Sequence, residues 1–409
     1  MVTLLALLGC TIVLVDVPCS VPPGIPPVDD TAATDCTERY PDADGDGYGD
    51  EDGATVTCDA TGFSDTPGDC DDADPDVHPD ALERCDGVSD ACDPTWTSDD
   101  GIVTWTTADG FQDATADFAA GSDGDPAALT YDEGRVDVCA GTWFVNLTLD
   151  GARIVGTGDV VLDGGGAGPV VLVTSGENLL QGLTLTNGAG SEGGGLDTTG
   201  GSAQVDTCVI TGNTAANGGG VAVHDGSDVE LRATTIQANE ATDSGGGLWV
   251  SGTAVLDGTE LVENTARSGG GLAMSGGTLT GTEVSIRGNV ASGDGGGVTG
   301  TSGRASVLSL TDSVVSTNDA DAVGGVAAID LTFTCTGSTS SDRLGIFANT
   351  SAEAKPPQMT VEGTSRVTAV DCDFANPATE EPGLVVLETG ETLGFDVDAD
   401  FVCTATAFE

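Results

Sequence analysis

Residues 210–221 read ITGNTAANGGGV, 236–248 IQANEATDSGGGL, 261–272 LVENTARSGGGL and 286–298 IRGNVASGDGGGV. The same phrase underlies all four: an aliphatic, two residues, an asparagine, a short spacer, then a glycine triplet ending on an aliphatic. Asn213, Asn239, Asn264 and Asn289 stand 26, 25 and 25 residues apart. The triplets that begin at Gly218, Gly245, Gly269 and Gly295 are spaced 27, 24 and 26. Self-similarity at a period of this length marks stacked supersecondary units.

Each unit holds short apolar stretches of period two broken by turn residues, with no helical periodicity, so it reads as one coil of a β-solenoid. Ile210, Ile236, Leu261 and Ile286, with Val315 before Asn318, stand three residues ahead of the asparagines and predict an inward ladder. The asparagine is expected at a corner in the left-handed region, its amide bonded to its counterpart in the next coil. The glycines, lacking Cβ, allow positive φ and close backbone approach where the next strand begins. Within 228–232, Val229 and Leu231 should point in, and Asp228, Glu230 and Arg232 out. The expected fold class is all-β, a right-handed parallel β-helix. A nine-residue calcium solenoid needs an Asp inside each glycine phrase, which is missing here. A phosphate loop would open a helix and occur once.

The pairing of glycine run and aliphatic-x-x-Asn resembles the repeats of the polymorphic outer-membrane protein group and of pectin-lyase-like β-helix proteins. The entry segment is similar to them as well: Val136 to Val145, then Ile154-Val155-Gly156 and Val161 to Gly166. This resemblance covers roughly residues 130–330 and implies a fold; one fold hosts many functions. The solenoid is expected over 141–409 as about ten coils, with 96–140 as its N-terminal cap and 111–116 as a short helix in that cap. A low aromatic content of 4% suits a narrow interior of stacked aliphatics.

The net charge is −56, from 67 acidic residues against 11 basic ones. With no basic stripe, nucleic acid is excluded as a partner and a bare anionic membrane is disfavoured. Met1 to Val15 is uncharged and mostly apolar, too short to span a bilayer but long enough for a signal segment. Leu7-Leu8-Gly9-Cys10 resembles a bacterial lipobox, which implies a signal peptide over 1–9 and a lipid anchor on Cys10 as the sole membrane contact. Ordinary secretion, or an apolar start with no role, are the alternatives. Residues 10–35 read as a Pro-rich acidic tether. The expected location is the outer membrane or the extracellular surface.

Twelve cysteines in an exported chain favour disulfides. With Cys10 lipidated, an odd number remains. Cys208, two residues before Ile210, is the candidate free thiol, packed inward. Cys85 and Cys92 are close enough to suggest a local loop.

Residues 36–95 form an Asp- and Cys-rich module. Asp42, Asp44, Asp46, Asp50 and Asp52 occupy positions 1, 3, 5, 9 and 11 of a loop with Gly47 at position 6. Calcium takes six to eight hard oxygens, and this spacing lets one loop supply them, with the Tyr48 carbonyl at position 7. Gly53 replaces the bidentate Glu of an EF-hand, so a solitary thrombospondin- or dockerin-like loop fits better. Together with Asp69, Asp71, Asp72, Asp74 and Asp86, the segment 40–94 resembles the metal-binding motif of many bacterial surface proteins. Ser89-Asp90 stands where that family has Asp-Asn, and Pro94 where it has Gly. Oxygen-only ligands favour calcium in a structural role; copper would want imidazole or thiolate, and His78 is the one histidine in the segment. The plainer alternative is a solvated acidic linker stapled by disulfides.

His224, Asp225, Asp228, Glu230 and Arg232 form the one local cluster of the kind that glycan-cleaving β-helices use. The stretches expected beside it, 201–205 and 252–256, carry no charged residue, so a smooth outer face and no catalytic residue are expected. The sequence therefore points to a bacterial surface protein, a β-helix stalk or adhesion face behind a calcium module, with a surface glycan or protein as the partner class. A polysaccharide lyase or hydrolase is the alternative.

Overall fold

A computed structural model describes residues 36–84, 89–95, 101–337, 345–351, 358–372, 374, 383–395 and 399–408. The signal segment, the tether, Cys10 and Asp86 lie outside the described residues. The chain divides into two compact units, 1–78 and 79–409.

The larger unit is a right-handed β-solenoid of about nine turns. Its rungs are parallel and step by one coil. One column runs through Gly201–Asp206, Ser227–Arg232, Thr253–Asp257 and Thr278–Thr282, a second through Val209–Thr211, Thr235–Gln237 and Glu260–Val262, and a third through Leu196–Thr198, Val221–Val223 and Leu248–Val250. A short fourth column, beginning Thr214–Asn217 and Glu240–Ser244, fills the arc between the asparagine and the glycine triplet. Val229 and Leu231 are buried while Asp228 and Arg232 are exposed, as the alternation requires. Ile210, Ile236, Leu261, Ile286 and Val315 stack in register through the centre and are at most 1% exposed.

The asparagines make a continuous buried ladder. Asn239 Nδ2 donates to Asn264 Oδ1 at 3.0 Å and to the Ile210 carbonyl at 2.9 Å, and its Oδ1 accepts from Asn213 N and Nδ2. The pattern continues through Asn289 and Asn318 to Asn349, and ends where Gln358 Oε1 receives Asn349 N and Nδ2. Its conformation differs from the expectation. The left-handed residue is the one before each asparagine, Gly212, Ala238, Glu263, Gly288 and Thr317, with φ of 51–67°. That turn aims the following side chain inward, where it meets its neighbour above and below. Asn187 is itself left-handed (φ 54°) and stands outside the ladder; Gly188 takes the ladder position, its N–H donating to Asn213 Oδ1.

A second left-handed corner, at Thr207, Ala233, Gly258 and Glu283, precedes the buried Cys208, Thr234, Thr259 and Val284. Cys208 is a free, 1% exposed thiol whose Sγ faces the Asp206 carbonyl at 3.3 Å. Burial pushes its pKa up to about 11, so it is a packing residue and not a nucleophile.

Both ends of the solenoid are closed. At the first, Val103–Thr107 pairs antiparallel with Gly110–Asp113 and with the start of Arg135–Asp150. Residues 111–113 are therefore strand; the helix begins later, at Thr115–Phe118, and seats Phe118 fully buried against Tyr131 and Trp143. At the other end the parallel pattern gives way to hairpins: Gly383–Leu387 with Thr392–Phe395, and Ala399–Thr404 back along Arg366–Cys372. Antiparallel closure satisfies an edge that would otherwise recruit another chain. A disulfide joins Cys335 to Cys372 in this last part.

Candidate metal centre

The smaller unit is built on Thr37–Pro41, which pairs antiparallel with Thr55–Thr57 on one side and Phe63–Ser64 on the other. Cys36–Cys58 staples it, Cys70 is also disulfide-bonded, and Cys85 lies outside the described residues. One acidic loop follows Thr37–Pro41 and a second follows Phe63–Ser64. They are held side by side by the Gly49–Pro67 bridge and by the N–H groups of Gly68 and Asp69, both donating to the Gly49 carbonyl. Gly49 must be glycine here: a Cβ would lie 2.4 Å from the Pro41 carbonyl oxygen.

The carboxylates of Asp42, Asp44, Asp46, Asp69 and Asp72 each use one oxygen to fix backbone. Asp42 Oδ1 accepts from Gly45 N at 2.7 Å, Asp44 Oδ1 from Asp46 N at 3.2 Å, and Asp46 Oδ1 from Tyr48 N at 2.8 Å. In the second loop Asp69 Oδ1 accepts from Asp71 N at 2.8 Å, and Asp72 Oδ1 reaches across to Ala43 N at 2.7 Å. The positive φ of Gly45 and Gly47 lets the chain fold back tightly enough for these turns. The other oxygens are left for the interior. Oδ2 of Asp44, Asp46 and Asp69 is buried with no hydrogen-bond partner, and Asp69 as a whole is 8% exposed. Asp42, Asp44 and Asp46 bring carboxylate oxygens within 4.8 Å of one another, as do Asp44, Asp69 and Asp72. Burial is the main cause that raises the pKa of Asp44 and Asp69, and the neighbouring Asp46 and Asp72 charges add to it. Buried anions without a cation or donor are costly, so this donor set fits a hard metal ion.

The other side chains expected at the site belong to neither group of carboxylates among the described residues. Asp50 Oδ1 caps the 3-10 turn Glu51–Gly53 by accepting from Asp52 N, and Asp52 is exposed in that turn. The Tyr48 ring stacks on His78, with centroids 4.7 Å apart. Asp71 and Asp74 are exposed, and Asp74 Oδ1 accepts from Asp76 N. Further along, Glu83 gathers Ser89 Oγ and the N–H groups of Asp90 and Ala91, while the buried Asp90 accepts from Arg84 N; both carboxylates close a loop. Of positions 1, 3 and 5, Asp44 at position 3 also meets the second loop through Asp69 and Asp72, whereas Asp50 and Asp52 at positions 9 and 11 join neither group. Nothing in the spacing announces that partnership, because it depends on the sheet that sets the loops side by side.

A different polar cluster sits on the solenoid. His224 Nε2 lies 2.8 Å from Asp197 Oδ1 and 3.4 Å from Glu192 Oε2, with Trp249 edge-on at 5.5 Å. The stacking register, Asp197 beside Ala222 beside Trp249, assembles it from successive coils. The sequence grouping of His224 with Asp228, Glu230 and Arg232 does not form. Arg232 is bound within its own strand by Glu230 at 2.6 Å. Its register neighbours are Asp206 and Asp257, one residue beyond the uncharged stretches. The outer face there is not smooth: a shallow depression lies among Glu177, Ser202, Gln204, Asp228 and Glu230.

Burial, opposed by His224 and aided by Glu192, pushes Asp197 up to about 6. A folded-state pKa above the unfolded value means the native state binds the extra proton between about pH 4 and 6, so this group lowers stability as pH rises through that window. The full shift corresponds to about 3 kcal/mol, which partial solvent access reduces to about 1–2. Asp197→Asn is expected to remove this fall; a variant whose stability tracks the wild type from pH 4 to 6 in urea melts would refute it.

Comparison with known proteins agrees with the geometry. Residues 146–312 match the family model described as a right handed beta helix region. Neither the curated proteins nor the solved structures give a match to the chain.

Proposed function

We propose that the protein is a bacterial surface protein, secreted and held by a lipid at Cys10, in which a calcium ion centre folds the N-terminal unit and the β-helix presents an adhesion face to a surface glycan or protein. One observation carries the metal reading: Asp69 is buried with Oδ2 unpartnered and shares its space with Asp44 and Asp72. All donors are carboxylate oxygens, the set that suits calcium and not copper. Support for a structural role is that each ligand's other oxygen already holds the backbone, so the ion would lock loops and not react. The β-helix and the disulfides suit an extracellular setting. The arrangement of Glu230 with Arg232 as a closed pair favours a scaffold over a lyase or hydrolase.

Extracellular calcium modules bind at about 10⁻⁴–10⁻³ M, and at 100 times the dissociation constant an ion adds ~2.7 kcal/mol. In calorimetry of the full chain, millimolar calcium should move the transition of the N-terminal unit upward, and Asp69→Asn should reduce the shift. No shift with calcium, or copper acting at far lower concentration, would overturn the assignment.

A further inference from the structure

This inference rests on the metal reading above and concerns how many ions the centre takes. Oxygens bound to one calcium at 2.3–2.6 Å lie within about 5 Å of each other. Among the described residues the acidic oxygens of the two loops meet that condition as two sets and not as one: Asp42, Asp44 and Asp46, and Asp44, Asp69 and Asp72. Only Asp44 belongs to both. We propose that Asp44 bridges two cations, one held with Asp42 and Asp46 inside the first loop, the other held with Asp69 and Asp72 between the loops.

The distribution of unpartnered oxygens agrees. Asp46 Oδ2 is buried and unsatisfied on the first side, Asp69 Oδ2 on the second, and Asp44 Oδ2 between them. A single ion placed on either side leaves the far orphan without a partner. Charge points the same way. Five carboxylates carry −5, so one dication leaves −3 in a partly buried space, whereas two leave −1. Asp72 joins the sides mechanically as well, since its Oδ1 holds Ala43 N in the first loop while its carboxylate serves the second set. Two ions sharing a carboxylate would sit ~4 Å apart.

The test is equilibrium dialysis of the full chain against calcium, with bound metal counted in the wild type and in Asp→Asn variants at physiological salt, where loosely held surface ions are screened. Differences between variants remove the diffuse binding that a strongly acidic chain carries. Asp42→Asn and Asp72→Asn should each lower bound calcium by one per chain, and Asp44→Asn by two. If Asp44→Asn lowers it by one, like the others, the centre holds a single ion and this inference fails while the metal reading stands. If no variant changes the count, the metal reading fails too. A second readout needs no variant: terbium bound to the wild-type chain should be quenched by neodymium filling the adjacent position. Terbium emission that falls only in proportion to its displacement would contradict a shared site.

Discussion

Asn239→Leu is expected to destabilise the solenoid by about 4 kcal/mol, although leucine is close in size and more apolar. Asn239 is 1% exposed and makes four hydrogen bonds through its side chain, three to the preceding coil and one to the next. Leucine leaves the backbone N–H of Asn213 buried without a partner and strips one donor from the Ile210 carbonyl and one from Asn264 Oδ1. Each buried polar group left unsatisfied costs about 1–3 kcal/mol. The gain in apolar burial is small, because the position is already filled. Denaturant unfolding of the full chain measures the effect. A loss below about 1 kcal/mol would mean that the ladder follows the stacking of the coils and does not help to hold it.

Gly246→Ala should be more damaging, by over ~4 kcal/mol or to the point of failed folding. The triplets combine two requirements. Their first members, Gly218, Gly245, Gly269 and Gly295, have φ of 63–69° and are glycine for conformation. Gly246, the middle member, is glycine for space: a Cβ would stand 2.4 Å from the Thr265 carbonyl oxygen and 2.5 Å from that of Gly270, both backbone atoms of the next coil. Relief would need the coils to part, against the inter-coil bond from Gly246 N to Gly269 O. Gly226→Ala provides the contrast. That glycine has a positive φ of 82° but nothing within 4 Å of its added Cβ, so its cost should stay at about 1–2 kcal/mol. Equal losses at the two positions would show that φ, and not inter-coil distance, sets the glycine requirement.

The solenoid could be read from the chain because its constraint is periodic and local. Ile236 and Asn239 meet their counterparts at a fixed chain separation, so the repeat in sequence is the contact in space. What escaped the reading depends on geometry within one coil or between distant segments. The left-handed residue falls on Ala238 and Glu263, types with no preference for that region, because the stacked asparagine amides hold the turn. Asn349 was missed because a longer coil separates it from Asn318 and no glycine triplet follows it. The short helix at 115–118 was set too early because Phe111 serves a strand that only its partner, residues 104–106, defines. The metal centre was half legible. Asp42, Asp44 and Asp46 carry their spacing in sequence, whereas Asp69 and Asp72 join them through a three-stranded sheet that the composition hides. The link between Asp197, Glu192 and His224 likewise follows from coil register and not from proximity in the chain.

The central claim is that the two acidic loops form one cation centre that fixes the N-terminal unit without acting on the solenoid. Hydrogen exchange of the full chain with and without millimolar calcium tests it most directly, because the amides of Ala43, Gly45, Tyr48 and Asp71 donate to the very carboxylates that would bind the ion. Calcium is predicted to slow exchange in peptides covering 42–48 and 68–72 and to leave 210–320 unchanged. Exchange that is unaltered in both loops, or slowed equally along the solenoid, would contradict it.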